Sequence, residues 1–402
     1  MTRARSAARR LPRALALIAA AAALACAHGL PAAPGAPALE VDAGSAELNA
    51  NPGLRARLRA TPHNYFRFVN AAFTREVCRR FADLRTPQPD VTLHGDCHLE
   101  QYAVTDLGRG LTDFDDSATG PAYVDLVRFG VSIELALRQR SWGAEADRIA
   151  AAFRSGYRKA LQNPAVEAPE PQFARRAAQG FDHEHARCVS RAEELMESLP
   201  AFEPEADEAK RELLHRMLAE NAGLPSFFFR TKRIGRLRLG IGSAVSAKYL
   251  VRIEGPTESP DDDIIIEAKE LVDRQGIDCV HVEPGPSRIF LGGARLAYQP
   301  FQYPGVIHVG NKTLWVHAWP DNYVEVAIAT LRSAEELREI AYDVGVQLGR
   351  GHPKGPRVED ATRLRAALLR SLPEARIRSV VVELTEETLA AWQRFRASDA
   401  GR

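Results

Sequence analysis

Apolar residues in this chain recur at helical spacing toward both ends of the sequence and at alternating positions between them. From Ala122 to about Ala222 the spacing predicts helices, with a proline-rich break at residues 164–171. Residues 233–255 alternate around a Gly240-Ile241-Gly242-Ser243 turn, the pattern of a β-hairpin. Asp263 to Lys269 carries three consecutive isoleucines and reads as a buried strand. Ile307–Val309 and Thr313–Trp319 predict a second hairpin turning at Gly310-Asn311. After Ser333 helical spacing returns, is interrupted by His352-Pro353 and Pro356, and ends in a helix near Trp392. Helices and strands so segregated, around a β-rich insert of roughly 90 residues, predict an α+β fold.

Ahead of the long helical stretch, His63 to Leu84 places Phe66, Val69, Phe73, Val77 and Phe81 on one helical stripe. Val91–His94, Gln101–Thr105 and Gly110–Phe114 read as three short strands. No repeat of 20–50 residues is visible. The expected organisation is a leader at 1–25, a linker and N-terminal segment at 26–60 and a helical unit at 61–225. A smaller β-rich unit at 226–325 and returning helices at 326–402 complete it.

The net charge of +1 hides an asymmetry, because Arg3, Arg5, Arg9, Arg10 and Arg13 all precede the first acidic residue, Glu40. Without those five the body carries 48 basic against 52 acidic residues. A mildly acidic body gives no footprint for nucleic acid or an anionic bilayer. An apolar share of 45% with unpatterned Gly and Pro excludes collagen, coiled coil and global disorder.

Arg-rich residues 1–13, apolar residues 14–25 and the small-x-small triplet Ala23-Leu24-Ala25 together predict a secretory signal. Twelve apolar residues are too few to span a bilayer. The protein is therefore expected to be exported, periplasmic or anchored, with membrane contact only through this segment, and cytoplasmic if the start is misassigned. Cys26 follows Ala25 as the lipid-bearing cysteine of a bacterial lipoprotein does, although Leu24 and Ala23 depart from that pattern. The five cysteines contain no C-x-x-C pair, which disfavours a zinc ribbon or a thioredoxin-like site. Setting Cys26 aside leaves four, open to three pairings or to none.

The chemistry concentrates in Leu93-His94-Gly95-Asp96-Cys97-His98-Leu99-Glu100-Gln101 and in Asp113-Phe114-Asp115-Asp116, followed by Gly120-Pro121 and Asp125-Leu126. A strand entering a loop at Gly95 presents Asp96 where a substrate can approach closely. A hairpin between the blocks can bring Asp113 beside Asp96 and Gln101. Oxygen ligands from two chain segments suit Mg²⁺ bridging phosphates, and Asp96 can then orient a hydroxyl nucleophile.

H-G-D-x-H-x-x-Q at 94–101 with D-F-D-D at 113–116 resembles the aminoglycoside and choline phosphotransferases, of protein-kinase-like fold. More closely, the arrangement resembles the bacterial family of domain of unknown function 2252. Thr61–Arg67, Gly120–Pro121, Asp125–Arg128, Gly240–Ser243 and Glu267–Glu270 extend the likeness over about residues 50–355. The resemblance implies a two-lobed fold that binds ATP or another nucleotide with Mg²⁺ and an unidentified acceptor. It implies Asp96 as the catalytic-loop Asp, His98 as the structural His of that loop, and Gln101, Asp113 and Asp115 at the metal. Asp125 is implied as the brace of the loop, paired with Arg128, and Lys269 as the phosphate-contacting lysine. Gly240, Gly242, Ser243 and Arg67 are implied at the nucleotide. Gln101 stands where Asn is usual, and Ile289–Gln299 offers no acid to partner Lys269, only Arg295.

The order of the blocks is inverted: the glycine turn follows the catalytic loop, while Glu336–His352 resembles the helix that usually precedes that loop. This predicts a circularly permuted kinase-like fold. Two other readings stay open: an exported, catalytically inactive nucleotide-binding or interaction module, and a metal-dependent hydrolase using His94, Asp96, His98 and Asp113. Lys248 competes with Lys269 for the phosphate role but is expected on an exposed hairpin arm. Trp315 and Trp319 share a strand face and are expected in the core, and Asp182-His183-Glu184-His185 is expected to be an exposed helical turn.

Overall fold

A computed structural model of the chain describes residues 38–198, 211, 215, 230–236, 248–271, 276–309, 312–355 and 357–398. Residues 1–25, expected as a leader, Cys26, Gly240, Gly242, Ser243 and the turn expected at Gly310-Asn311 lie outside them. The described fold is mixed α+β, as the change of period predicts.

Among the described residues ten strands form three sheets. β1 (Asp90–Leu93) pairs antiparallel with β4 (Ala118–Pro121). β2 (Tyr102–Thr105) and β3 (Gly108–Leu111) form a hairpin, and β10 (Tyr323–Glu325) adds to its edge. β5 (Thr231–Arg236), β6 (Lys248–Ile253), β7 (Ile264–Glu270), β8 (Gly305–Val309) and β9 (Lys312–Ala318) make the largest sheet, in the order β5-β6-β7-β9-β8. All of its pairings are antiparallel. The stripe predicted over 63–84 is two helices, Pro62–Phe68 and Asn70–Phe81, separated at Val69. Gln101 belongs to a short 3-10 turn ahead of β2 rather than to the strand. β4 and β10, of four and three residues with little apolar alternation, are not legible in the sequence.

Period two decides what each face of the large sheet carries. Val251, Ile253, Ile266, Ala268, Ile307, Leu314 and Val316 bury one face. The other bears Lys248, Glu267, Lys269, Trp315 and His317, in register across three strands: Lys248 opposite Lys269, Lys269 opposite Trp315, and Glu267 opposite His317. Farther along that face Leu250 and Ile265 pack with Ala192 and Met196 of the helix His185–Ser198. Lys248 is thus half-buried and directed toward Glu267, not on an exposed arm. Its register opposite Lys269 is the reason.

The main core is built on the helices Tyr123–Arg140, Ala146–Gln162 and Ala334–Gly351. The last two touch through glycine: a Cβ at Gly156 would stand 2.3 Å from the Tyr342 carbonyl oxygen, and one at Gly345 would stand 2.2 Å from that of Phe153. The C-terminal helix Glu374–Ala397 packs on Tyr123–Arg140. A disulfide joins Cys78, on Asn70–Phe81, to Cys279, whose neighbour His281 bonds to Thr119 of β4. Of the three pairings and the unpaired alternative, the structure therefore has one bridge, with Cys97 and Cys188 free and buried.

Candidate phosphate and metal site

The loop after β1 owes its shape to Gly95 and Asp125. Gly95 has φ +79°, and a Cβ there would stand 1.9 Å from the Asp116 carbonyl oxygen, so no side chain fits. Asp125 is fully buried at the start of Tyr123–Arg140. Its Oδ2 accepts from the His94 amide at 2.7 Å and lies 3.1 Å from His352 Nε2, and its Oδ1 accepts from the Gly95 amide at 3.0 Å. Burial opposes ionisation of Asp125, but these partners outweigh it and hold the carboxyl below its ordinary value. Tyr157 Oη, 3.0 Å from His352 Nδ1, extends the network to a second helix.

Asp125 is the brace expected of it, but Arg128 is not its partner. One turn along the same helix, Arg128 Nε donates to Asp96 Oδ1 at 2.7 Å and Nη2 reaches the same oxygen. The guanidinium stands over the Phe66 ring, 4.2 Å from its centroid. Helical geometry places side chains three apart on one face, so the pair Asp125 and Arg128 addresses two successive parts of one loop.

His98 is fully buried, with Nε2 3.7 Å from Asp96 Oδ2 and its ring edge-on to His63. Burial, with Arg67 and His63 adding, pushes its pKa well below the ordinary histidine range, so it is a neutral packing group under Asp96. Arg67 Nη1 donates to Glu100 at 3.1 Å, and His63 Nδ1 lies 3.3 Å from the same oxygen. Burial opposes charge on Glu100, yet His63 and Arg67 hold its carboxyl at about 2. The Gln101 carbonyl accepts from the Thr112 amide at 2.9 Å and from Thr112 Oγ1 at 3.0 Å, which sets Gln101 beside the residue preceding Asp113.

Asp113 itself has φ +59°, an uncommon conformation for a residue other than glycine. Its Oδ1 accepts from Lys269 Nζ at 2.9 Å, and Asp115 Oδ2 lies 3.6 Å from the same ammonium. Lys269 Nζ also stands 3.6 Å from Glu267 Oε2 and 5.2 Å from the centre of the Trp315 ring. Burial opposes charge on Asp113, but Lys269 and Lys248 hold its carboxyl well below the ordinary value. Burial, then the charge of Asp113, push Asp115 up to about 7. Lys269 stays charged, its burial outweighed by Asp113, Asp115 and Glu267.

The helix Ser287–Leu296, where the resemblance places an acid for Lys269, carries Arg288 and Arg295 instead. Arg288 donates to the carbonyls of Asp115 and Ser117 and so holds backbone next to the site, while Arg295 donates to the Thr92 hydroxyl at 2.8 Å. The acid is on the lysine's own strand. Glu267, two residues earlier on the same face, lies 3.1 Å from His317 Nε2 and 3.7 Å from Lys248 Nζ. Strand periodicity applied to Glu267-Ala268-Lys269 would have found it. Tyr323 Oη, 2.8 Å from Thr112 Oγ1, comes from β10 and left no sequence signal.

A hard cation fits these donors. Asp115 Oδ1 is buried and accepts no hydrogen bond among the described residues, and the three carboxyls of Asp113, Asp115 and Glu267 there meet two ammoniums, Lys248 and Lys269, which leaves the cluster short of positive charge. No group of three or more His, Cys, Asp or Glu among the described residues is arranged to hold a metal by itself. Mg²⁺ needs fewer, since it keeps several waters and commonly takes one or two carboxylates plus substrate phosphates. A site at His94 is another matter. Its Nε2 faces the Thr112 carbonyl at 2.8 Å and its Nδ1 faces the Asp96 amide at 3.3 Å, so neither nitrogen is available to a metal. Asp182 precedes its helix rather than lying on it, and His185 bridges Asp321, at 2.7 Å, and the Asp263 carbonyl, at 2.8 Å.

Compared with known proteins, residues 50–273 match the family described as an uncharacterized protein conserved in bacteria, DUF2252. No curated protein and no solved structure matches the chain. The matched span holds Asp96, Asp113, Asp125 and Lys269 and covers more than half of the sequence, so the chain belongs to the DUF2252 family.

Proposed function

We propose that the protein is a kinase-like phosphotransferase that moves a phosphoryl group from ATP or another nucleotide to a hydroxyl of a small molecule or a protein. The observation that carries the reading is the meeting of Lys269 with Asp113 and Asp115, in a cluster short of positive charge. Support comes also from the arrangement around it. A hairpin of the large sheet precedes the lysine strand, a helix follows it, and His352 at the end of Ala334–Gly351 reaches Asp125 at the loop. That is the neighbourhood expected of a permuted two-lobed fold.

In this reading Asp113 and Asp115 hold Mg²⁺, with Gln101 alongside, and the ion supplies charge neutralisation on the phosphates. Lys269 exchanges part of its contact with Asp113 for a phosphate oxygen, kept charged by Glu267. Asp96 orients the acceptor hydroxyl through Oδ2, because Oδ1 is committed to Arg128. With one oxygen held by Arg128, the part of Asp96 in this reading is orientation of the hydroxyl. Arg67 stands near His98 and Glu100, in reach of the same cleft.

The Arg128–Asp96 pair also favours a second reading, an inactive nucleotide-binding or interaction module, since it neutralises the one acid that would face the acceptor. Export through residues 1–25 is part of the proposal, supported by the Cys78–Cys279 bridge, because disulfides persist in oxidising compartments.

Calorimetric titration of the purified protein with ATP, with and without Mg²⁺, tests the reading. Mg²⁺-dependent binding, weakened tenfold or more in Asp113→Asn, is expected; no binding to the wild type overturns it. Phosphate transfer to a panel of hydroxyl acceptors separates enzyme from inactive module.

A further inference from the structure

Beside the charged cluster lies a cavity of about 250 Å³ whose walls are aromatic: Phe114, Phe290, Tyr298, Phe301, Trp315 and His317. It sits between the helix Ser287–Leu296, the β2–β3 hairpin and β9. Exposed Gln299 and Pro304 stand at its rim, so the cavity is reachable from solvent. The rings are ordered by one another: His317 stacks on Phe301 at 4.2 Å and on Trp315 at 4.6 Å.

Two observations define what the cavity can take. The charged side chain on its wall, Arg109, is paired with Asp343 and bonded to the Ala168 carbonyl, each at 2.8 Å, so its charge is already balanced by a carboxylate and the wall offers an anion no unpaired cation. Trp315 is 4% exposed, and its indole N–H, buried, has no hydrogen-bond partner among the described residues. A buried donor left unpaired costs free energy that a ligand acceptor recovers. Aromatic walls favour flat, polarisable guests, by offset stacking and edge contacts.

We propose that this cavity is a binding site for a small, uncharged, planar aromatic molecule, or the aromatic end of a larger one, bearing one hydrogen-bond acceptor for Trp315. The inference stands apart from phosphate transfer, since it requires no nucleotide. It also ties the cavity to the charged cluster, because Lys269 Nζ stands 5.2 Å from the centre of the Trp315 ring that lines the cavity.

Gly293 lines the cavity, and a Cβ there would meet only Phe114 Cδ2, at an ordinary 3.8 Å. Gly293→Leu therefore fills the space while improving helix propensity, and Trp315→Phe keeps the ring and removes the N–H. The probes are 2-naphthol and quinoline, with anionic 2-naphthoate and linear hexanol as contrasts, read by tryptophan fluorescence and by the shift in Tm of the full chain. The two neutral aromatic probes are expected to bind wild type at least tenfold more tightly than either contrast. Affinity should fall tenfold or more in Gly293→Leu and about tenfold in Trp315→Phe. Absence of binding by both neutral probes overturns the proposal, and so does binding that Gly293→Leu leaves intact in a folded variant with wild-type Tm.

Discussion

Nζ of Lys269 donates to Oδ1 of Asp113 at 2.9 Å across 156 residues of sequence, with Asp115 Oδ2 at 3.6 Å from the same ammonium. Lys269 is 6% exposed, whereas Asp113 keeps 30% of its side chain exposed. The cation is therefore dry while one of its partners still reaches solvent, and substitutions on the two sides of the pair should differ.

Lys269→Met strands Asp113 and Glu267 without their cation and should destabilise the fold by about 2–3 kcal/mol, less than for a wholly buried pair. The double variant Lys269→Met/Asp113→Asn should cost less than the sum of the single ones, because it removes both charges. Urea denaturation of the four proteins measures the coupling; additivity would place the two residues in independent environments.

Stability should depend on pH through Asp115. Its folded pKa of about 7 lies above the ordinary carboxyl value of 3.8. Between those values the folded protein keeps a proton that the unfolded chain has lost, so this contribution to stability falls as pH rises from about 4 to 7 and levels off above. Asp115→Asn should flatten that decline. A saturating divalent cation should lower the folded pKa, which carboxyl-resolved NMR titration reads directly.

Asp125→Asn puts an amide N–H against backbone donors at His94 or Gly95 and should cost about 2–4 kcal/mol. The loop carrying Asp96 should lose its amide protection along with the Tm. Unchanged hydrogen exchange at Gly95 would show that the loop holds its shape without this carboxylate.

Reducing the Cys78–Cys279 bridge frees a loop spanning 201 residues. Cys78→Ser/Cys279→Ser should lower stability by about 2–5 kcal/mol. Mass spectrometry after alkylation without reductant should find those two cysteines blocked, and equal labelling of all of them would contradict the bridge.

Much of this site could be read before any coordinates. Local pattern alone sets the α+β class and singles out Asp113 by residue type at the end of a strand, while the family resemblance points to Lys269. The pairing of Arg128 could not be read that way: Asp125 stands one helical turn before it, Asp96 lies 32 residues away in sequence, and only the path of the loop at Gly95 brings Asp96 to the guanidinium. The acid for Lys269 was sought on a helix and stands on the strand itself, where period two would have pointed to Glu267.

The amino-acid sequence by itself determined the elements, because helix and strand periods are properties of neighbouring residues, and it marked the acidic and basic groups with chemistry to perform. Tertiary structure alone decided which charges neutralise one another, which carboxyl is left short of a partner and where an aromatic cavity opens. Ion pairing and burial depend on distances between segments far apart in the chain, and those distances exist only once the sheet face of β6, β7 and β9 has met the loop at Asp113.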